Sequence, residues 1–162
     1  WYLEAGYHLA DLPWSPTLSY KYAFFSGDED SSDSKNQAFD PLFYSMGRGW
    51  ASHIMGEIVG EYFLFNSNQK VHMLGLNLQP SEALATGLLY YDFSLDEKNI
   101  WGTPVAADSF AQEVDLYVDY SVTDNLFLTA TLAWATPQAG AKDYFGGNDD
   151  SYLAQISAYL SF

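Results

Sequence analysis

The fold is decided by the last segment of the chain, Ser151-Tyr152-Leu153-Ala154-Gln155-Ile156-Ser157-Ala158-Tyr159-Leu160-Ser161-Phe162. Its even positions carry apolar side chains, whereas its odd positions are mostly polar. Such an alternation of period two is typical of a β-strand with one apolar face and one polar face. The segment is also about ten residues long, which is the length that a tilted strand needs to cross a bilayer.

Six further segments show the same alternation at similar length. They predict strands at residues 1–9, 17–24, 70–79, 84–95, 112–122 and 126–136. In segment 70–79 the phase is weaker, and we place Leu74, Leu76 and Leu78 on its apolar face. In segment 84–95 the apolar face is assigned to Leu89, Tyr91, Phe93 and Leu95, opposite a face that includes Tyr90 and Asp92. The sequence thus predicts an all-β, antiparallel protein with about seven strands in this chain.

Composition excludes several classes of protein. Twenty-one acidic side chains against 6 basic ones give a net charge of -15, so the chain cannot neutralise a nucleic-acid backbone. Cysteine is absent, which excludes disulfides and thiolate metal sites. No run of apolar residues approaches the roughly 18 that a membrane-spanning helix requires.

The lengths of the connections favour a membrane barrel over a soluble β-sandwich. Short connections at residues 11–16, 80–83 and 123–125 alternate with long ones at 27–69, 96–110 and 137–150. Outer-membrane barrels have this pattern, with tight periplasmic turns and extended outer loops, and they carry aromatic side chains at the strand ends. We therefore predict a transmembrane β-barrel unit over residues 1–162, located in the bacterial outer membrane and in contact with lipid and lipopolysaccharide, with 27–69 as its long extracellular loop. A soluble sugar-binding sandwich is the alternative.

The odd number of strands predicts an incomplete wall, because single-chain bacterial barrels have an even number of strands and no open edge. The missing strands would lie upstream or on a second chain. A second alternative promotes residues 56–65 to an eighth strand and gives a small closed barrel with a structural or surface-binding role and no pore. The same loop also contains a helix start at Asp40-Pro41, although Gly56 and Gly60 weaken a helix after it.

Several motifs carry a resemblance to a known family. They are Tyr22-Ala23-Phe24-Phe25-Ser26-Gly27-Asp28, Phe39-Asp40-Pro41-Leu42-Phe43-Tyr44, Gly47-Arg48-Gly49-Trp50, Gly56-Glu57-Ile58-Val59-Gly60-Glu61-Tyr62-Phe63-Leu64-Phe65-Asn66-Ser67-Asn68 and Leu88-Leu89-Tyr90-Tyr91-Asp92-Phe93. The chain resembles the alginate-export family of outer-membrane porins from about Thr17 to its end, most densely between Phe39 and Leu95. The resemblance implies the C-terminal part of a larger barrel, whose basic pore passes a polyanionic polysaccharide outward. The final Phe162 resembles the ending of bacterial outer-membrane proteins.

The candidate site is the face assigned to the lumen. Its predicted pore-lining and substrate residues are Glu4, His8, Lys21, Arg48, Tyr90, Asp92, Glu113, Asp115, Tyr117 and Asp119. Tyr159 shares this face, and tyrosine rings there offer a stacking surface to sugars. A mostly acidic wall repels a polyuronate. Either the missing strands supply the basic residues, or the cargo is not alginate, or the carboxylates pair with arginines and brace the barrel.

No cofactor and no enzyme activity are predicted. The acidic loop residues Asp28, Asp30, Asp149 and Asp150 are weak candidates for Ca²⁺, although a solvated acidic loop explains them as well. The three histidines, His8, His53 and His72, are scattered, and no HExxH, GxSxG or glycine-rich phosphate motif occurs. A serine and histidine pair contributed by separate strands stays open.

Overall fold

The computed structural model describes residues 1–30, 32–40 and 55–162. Arg48, His53, the Gly47-Arg48-Gly49-Trp50 motif and the helix predicted from Pro41 lie outside the described residues. The strands are β1 (Tyr2–His8), β2 (Thr17–Phe25), β3 (Gln69–Ser81), β4 (Leu84–Leu95), β5 (Asn99–Ile100), β6 (Thr103–Pro104), β7 (Ser109–Thr123), β8 (Leu126–Pro137) and β9 (Ser151–Leu160). The helices are a π-helix (Gly56–Leu64) and α1 (Ala139–Phe145).

Seven long strands form one antiparallel sheet in the order β1-β2-β3-β4-β7-β8-β9, and β5 and β6 form a separate hairpin. Each long strand pairs with its neighbour in the sequence, which confirms the predicted all-β, antiparallel arrangement of seven strands. Within the described residues, β1 pairs with β2 alone and β9 with β8 alone. The sheet described here therefore has two free edges.

Register divides the sheet into an inner and an outer face. One row of the inner face runs through Lys21, Met73, Tyr91, Glu113 and Ala135, which pair in succession from β2 to β8. The central part of this face is buried, whereas the opposite, outer face exposes large apolar side chains. Because side chains alternate along a strand, each remaining residue of the sheet is assigned to a face by its register.

The predicted faces of β4 are reversed in the structure. Leu89, Tyr91 and Phe93 are buried on the inner face, and Tyr91 pairs there with Glu113. Tyr90 and Asp92, predicted to line the lumen, lie instead on the outer face, where Tyr90 pairs with Val114. Both faces of β4 carry leucines and aromatic residues, so hydrophobicity alone does not distinguish them.

Residues 56–65 do not form the eighth strand of the alternative reading, since Gly56–Leu64 is a π-helix. This helix packs against β7, β8 and β9. Its residues Ile58, Val59 and Leu64 belong to the same buried cluster as Phe93 of β4. The π-helix, which belongs to the long connection between β2 and β3, therefore covers the apolar residues of the inner face with which it forms this cluster. None of the helices in the described ranges is both long and apolar enough to cross a membrane.

Candidate functional site on the inner face

Two carboxyl groups occupy the centre of the inner face. Glu113 and Asp115 lie two residues apart on β7 and therefore point to the same side of the sheet. Their side chains are almost completely buried, with 1% and 0% of their surface exposed. A buried carboxylate needs hydrogen-bond donors, and here the π-helix supplies them to three of the four carboxyl oxygens.

The start of the π-helix donates its backbone N–H groups to these carboxylates. Ile58 N donates to Glu113 Oε1 at 2.8 Å and Val59 N to Glu113 Oε2 at 2.8 Å. Glu57 N donates to Asp115 Oδ2 at 3.2 Å. The first N–H groups of a helix have no partner within it, and a carboxylate there satisfies them and complements the helix dipole. Glu113 and Asp115 thus hold the long connection on the inner face.

Gly56 makes this close approach possible. Its φ of 84° lies in the left-handed region, which residues with a side chain rarely adopt. A Cβ at this position would lie 2.8 Å from Glu113 Oε2 and 2.8 Å from Phe93 Cζ. The glycine that weakened the sequence-based helix prediction is therefore required for the docking of the helix.

A polar row crosses the sheet on the inner face, one row from Asp115 towards the short turns. Its paired residues from β1 to β9 are His8, Thr17, Asn77, Gly87, Tyr117, Thr131 and Gln155. His8 Nδ1 and Thr17 Oγ1 are 2.9 Å apart, and Tyr117 Oη donates to Asn77 Oδ1 at 2.6 Å across the space that Gly87 leaves open. We call this set the polar row.

The other predicted charges of the inner face lie on either side of the polar row. Lys21 Nζ and Glu4 Oε1 form an ion pair at 3.3 Å between β2 and β1. Asp119 lies in the next row towards the short turns and pairs with Thr129. Tyr159 also lies on this face, with its ring centroid 6.1 Å from that of Phe127. The structure thus brings Glu4, His8, Lys21, Glu113, Asp115, Tyr117 and Asp119 to one face and leaves Tyr90 and Asp92 on the other.

The outer face carries an apolar belt. One of its rows consists of Leu18, Leu76, Leu88, Leu116, Leu132 and Ala154, which pair in succession across six strands. On β7 the belt extends from Val114 to Val122, which corresponds to about 27 Å along a strand and matches the ~25 Å apolar band of outer-membrane barrels. No strand residue of the outer face between the Asp92 row and the short turns is charged, and all of these residues are described.

Polar and aromatic residues border the belt at the end of the sheet that carries the long connections. The row of Asp92 contains Tyr22, His72, Gln112 and Thr136. Next to it, Tyr20 Oη and His72 Nδ1 are 2.8 Å apart, and the rings of Trp134 and Tyr152 stack with centroids 6.2 Å apart. Amphipathic rings of this kind are enriched where a membrane meets water.

The acidic loop residues show no metal centre. Ser32 donates from its hydroxyl and its backbone N–H to Asp30 Oδ1, and these hydrogen bonds lower the pKa of Asp30 below its usual value. Asp28 Oδ1 accepts a hydrogen bond from Gln37 N at 3.3 Å. Across residues 1–30, 32–40 and 55–162, no three histidine, aspartate or glutamate side chains converge on a common point.

Comparison with known families identifies the family of the chain. The family described as alginate export matches residues 1–129. The chain therefore belongs to the alginate-export family, whose class of function is polysaccharide export. The resemblance in the sequence was expected from about Thr17 to the end of the chain. The match also includes β1, and it ends at residue 129, within β8. No curated protein matches the chain.

Proposed function

We propose that this chain forms part of the wall of an outer-membrane pore through which an anionic polysaccharide such as alginate leaves the cell by passive diffusion. The single observation that carries the proposal is the uncharged apolar belt, which continues from β2 to β9 on the outer face while the inner face has a polar row. A soluble protein rarely exposes so large an apolar surface. Lipid would cover the belt, and lipopolysaccharide would contact its border at the long connections.

The free edges of β1 and β9 support a larger barrel. In lipid, each unpaired backbone N–H or C=O group costs several kcal/mol, so spanning sheets are closed. Further strands of the same protein or of a second chain would pair with both edges. The alternative of a small closed barrel without a pore receives no such support. It needs residues 56–65 as an eighth strand, and Gly56–Leu64 form a helix.

The acidic character of the inner face is weaker than its sequence indicates. Three backbone N–H groups of the π-helix donate to Glu113 and Asp115, and both side chains are almost completely buried, so they are shielded from a passing polyanion. Glu4 is paired with Lys21. Among the acidic residues that were predicted to line the pore and that lie on the inner face, Asp119 is then the one left to repel an anionic polysaccharide. Arg48 and the strands that complete the wall would supply the positive charges that a polyuronate requires.

Planar-bilayer recordings test this proposal. The protein is purified from the outer membrane, with every strand of its barrel, and its ion conductance is measured before and after addition of oligouronates. We expect steady conductance and a block by oligouronates that weakens as salt concentration rises, because the attraction is electrostatic. Absence of conductance would contradict the pore, whereas conductance without any block would contradict an anionic cargo and leave the pore intact.

A further inference from the structure

A cavity lies outside the inner face, at the end of the sheet that carries the long connections. It has a volume of about 820 Å³, which is within the range of ordinary ligand pockets. Among the described residues, its walls are formed by Asp28, the segment 33–40, the end of the π-helix and the β5–β6 hairpin. We call it the loop cleft.

The tip of the hairpin places an unusual residue at the rim of the loop cleft. Ile100 pairs with Thr103, so Trp101 and Gly102 form a two-residue turn, with φ of 53° and 80°. Two left-handed residues define a type I′ turn, in which asparagine, aspartate or glycine is strongly preferred at the first position. Trp101 is poorly suited to this backbone, and 64% of its side chain is exposed, so core packing does not explain its presence.

Phe65 is a second aromatic residue with a left-handed backbone conformation. Phe65 follows the π-helix with a φ of 51°, and its ring meets that of Trp101 edge to face with centroids 5.7 Å apart. Phe39 lines the cleft as well and is also exposed. Strained backbone that persists in a folded protein clusters at binding sites, where the surrounding structure fixes it.

Asn68 fixes the frame of the loop cleft. Its Nδ2 donates to Asn99 O at 2.6 Å and to Glu97 O at 3.1 Å, and its Oδ1 accepts from Glu97 N at 2.7 Å. Asn99 Nδ2 in turn donates to Asp28 O at 3.2 Å, which joins the hairpin to the loop opposite. Hydrogen bonds from the side chains of Asn68 and Asn99 thus position both walls before any ligand arrives, and such preorganisation favours affinity.

We propose that the loop cleft binds an uncharged saccharide. Exposed aromatic rings offer flat apolar surfaces to the C–H faces of a pyranose ring, and the carboxylate, amide and hydroxyl groups beside them offer hydrogen-bond partners to its hydroxyl groups. Among the described residues that line the cleft, three are acidic (Asp28, Asp33 and Asp40) and one is basic (Lys35), so the charge of these residues disfavours a polyuronate. This ligand is different from the proposed cargo, and the proposal does not depend on the pore.

Fluorine NMR of the detergent-solubilised protein labelled with 5-fluorotryptophan tests the inference. Maltohexaose, cellohexaose and mannohexaose serve as uncharged probes, and an oligomannuronate serves as the charged one. We expect at least one uncharged probe to shift the Trp101 signal with a millimolar Kd. The oligomannuronate should bind more weakly at low salt, with the difference shrinking as salt screens the aspartates.

Trp101→Asn is the decisive variant, because it creates the Asn-Gly pair that the turn prefers and so maintains the fold. Because this variant lacks the Trp101 signal, its binding is measured on the proton signals of the saccharide by saturation-transfer NMR. It should weaken saccharide binding by about tenfold or more while the melting temperature stays the same or rises. Trp101→Phe should retain most of the binding, and Trp134→Phe on the outer face should leave it unchanged.

The inference is overturned if none of the uncharged hexasaccharides shifts the Trp101 signal, or if Trp101→Asn binds them as tightly as the parent protein. If the protein binds the saccharide but does not conduct ions, the proposed pore is contradicted and the saccharide site in the loop cleft is not.

Discussion

Glu113 of β7 accepts a 2.8 Å hydrogen bond at Oε1 from the backbone N–H of Ile58, although 55 positions separate the two residues in the sequence. Its other oxygen accepts from Val59. One carboxylate therefore joins the centre of the sheet to the start of the π-helix. This contact gives the most acidic part of the inner face a structural role.

Replacing Glu113 with Gln should destabilise the protein. The amide has a single acceptor oxygen, so one of the two N–H groups of the helix loses its partner in a buried place, at a cost of about 1–3 kcal/mol. Denaturant titration in micelles measures the free energy of unfolding. Asp119→Asn, on the same face and strand but partly exposed, serves as the control and should change it by less than about 0.5 kcal/mol. Equal effects of the two variants would contradict the anchoring role.

Replacing Gly56 with Ala should also destabilise the protein. The new Cβ would meet Glu113 Oε2 and Phe93 Cζ at 2.8 Å, in a backbone conformation that costs a residue with a side chain about 1–3 kcal/mol. Gly147→Ala is the matched control, because a Cβ there meets nothing within 4 Å. Thermal unfolding compares the two variants. A melting temperature as high for Gly56→Ala as for Gly147→Ala would show that the helix does not dock as described.

Neighbouring residues on β9 should respond oppositely to a positive charge. Ile156 is 81% exposed on the outer face, whereas Gln155 points to the inner face. If lipid covers the outer face, Ile156→Arg should cost about 2–4 kcal/mol and Gln155→Arg much less. Unfolding in lipid vesicles provides the measurement. Similar small costs at both positions would show that water covers both faces.

The ion pair of the inner face should influence ion selectivity. Glu4→Gln removes the partner of Lys21 and leaves a positive charge on the proposed wall of the pore. The reversal potential in a salt gradient should then shift towards anions, and Lys21→Gln should shift it towards cations. An unchanged reversal potential in both variants would place this pair away from the path of the ions.

Period-two alternation of polarity was sufficient to predict the seven long strands, because most of them place their two faces in different environments. It failed for the faces of β4, where the inner face is as apolar as the outer one because the π-helix covers it. The role of Glu113 was not predictable, since its donors lie far away in the sequence. The β5–β6 hairpin also escaped prediction, because Trp101 occupies a turn position at which asparagine would be expected.

The central claim is that lipid contacts one face of this sheet and water the other. This chain contains no cysteine, so single cysteines introduced along β9 are its only thiols. In protein reconstituted into bilayers, we expect a water-soluble maleimide to label positions 153, 155 and 157 and to leave 154, 156 and 158 unlabelled. Labelling of the even positions at the same rate as the odd ones would contradict the claim.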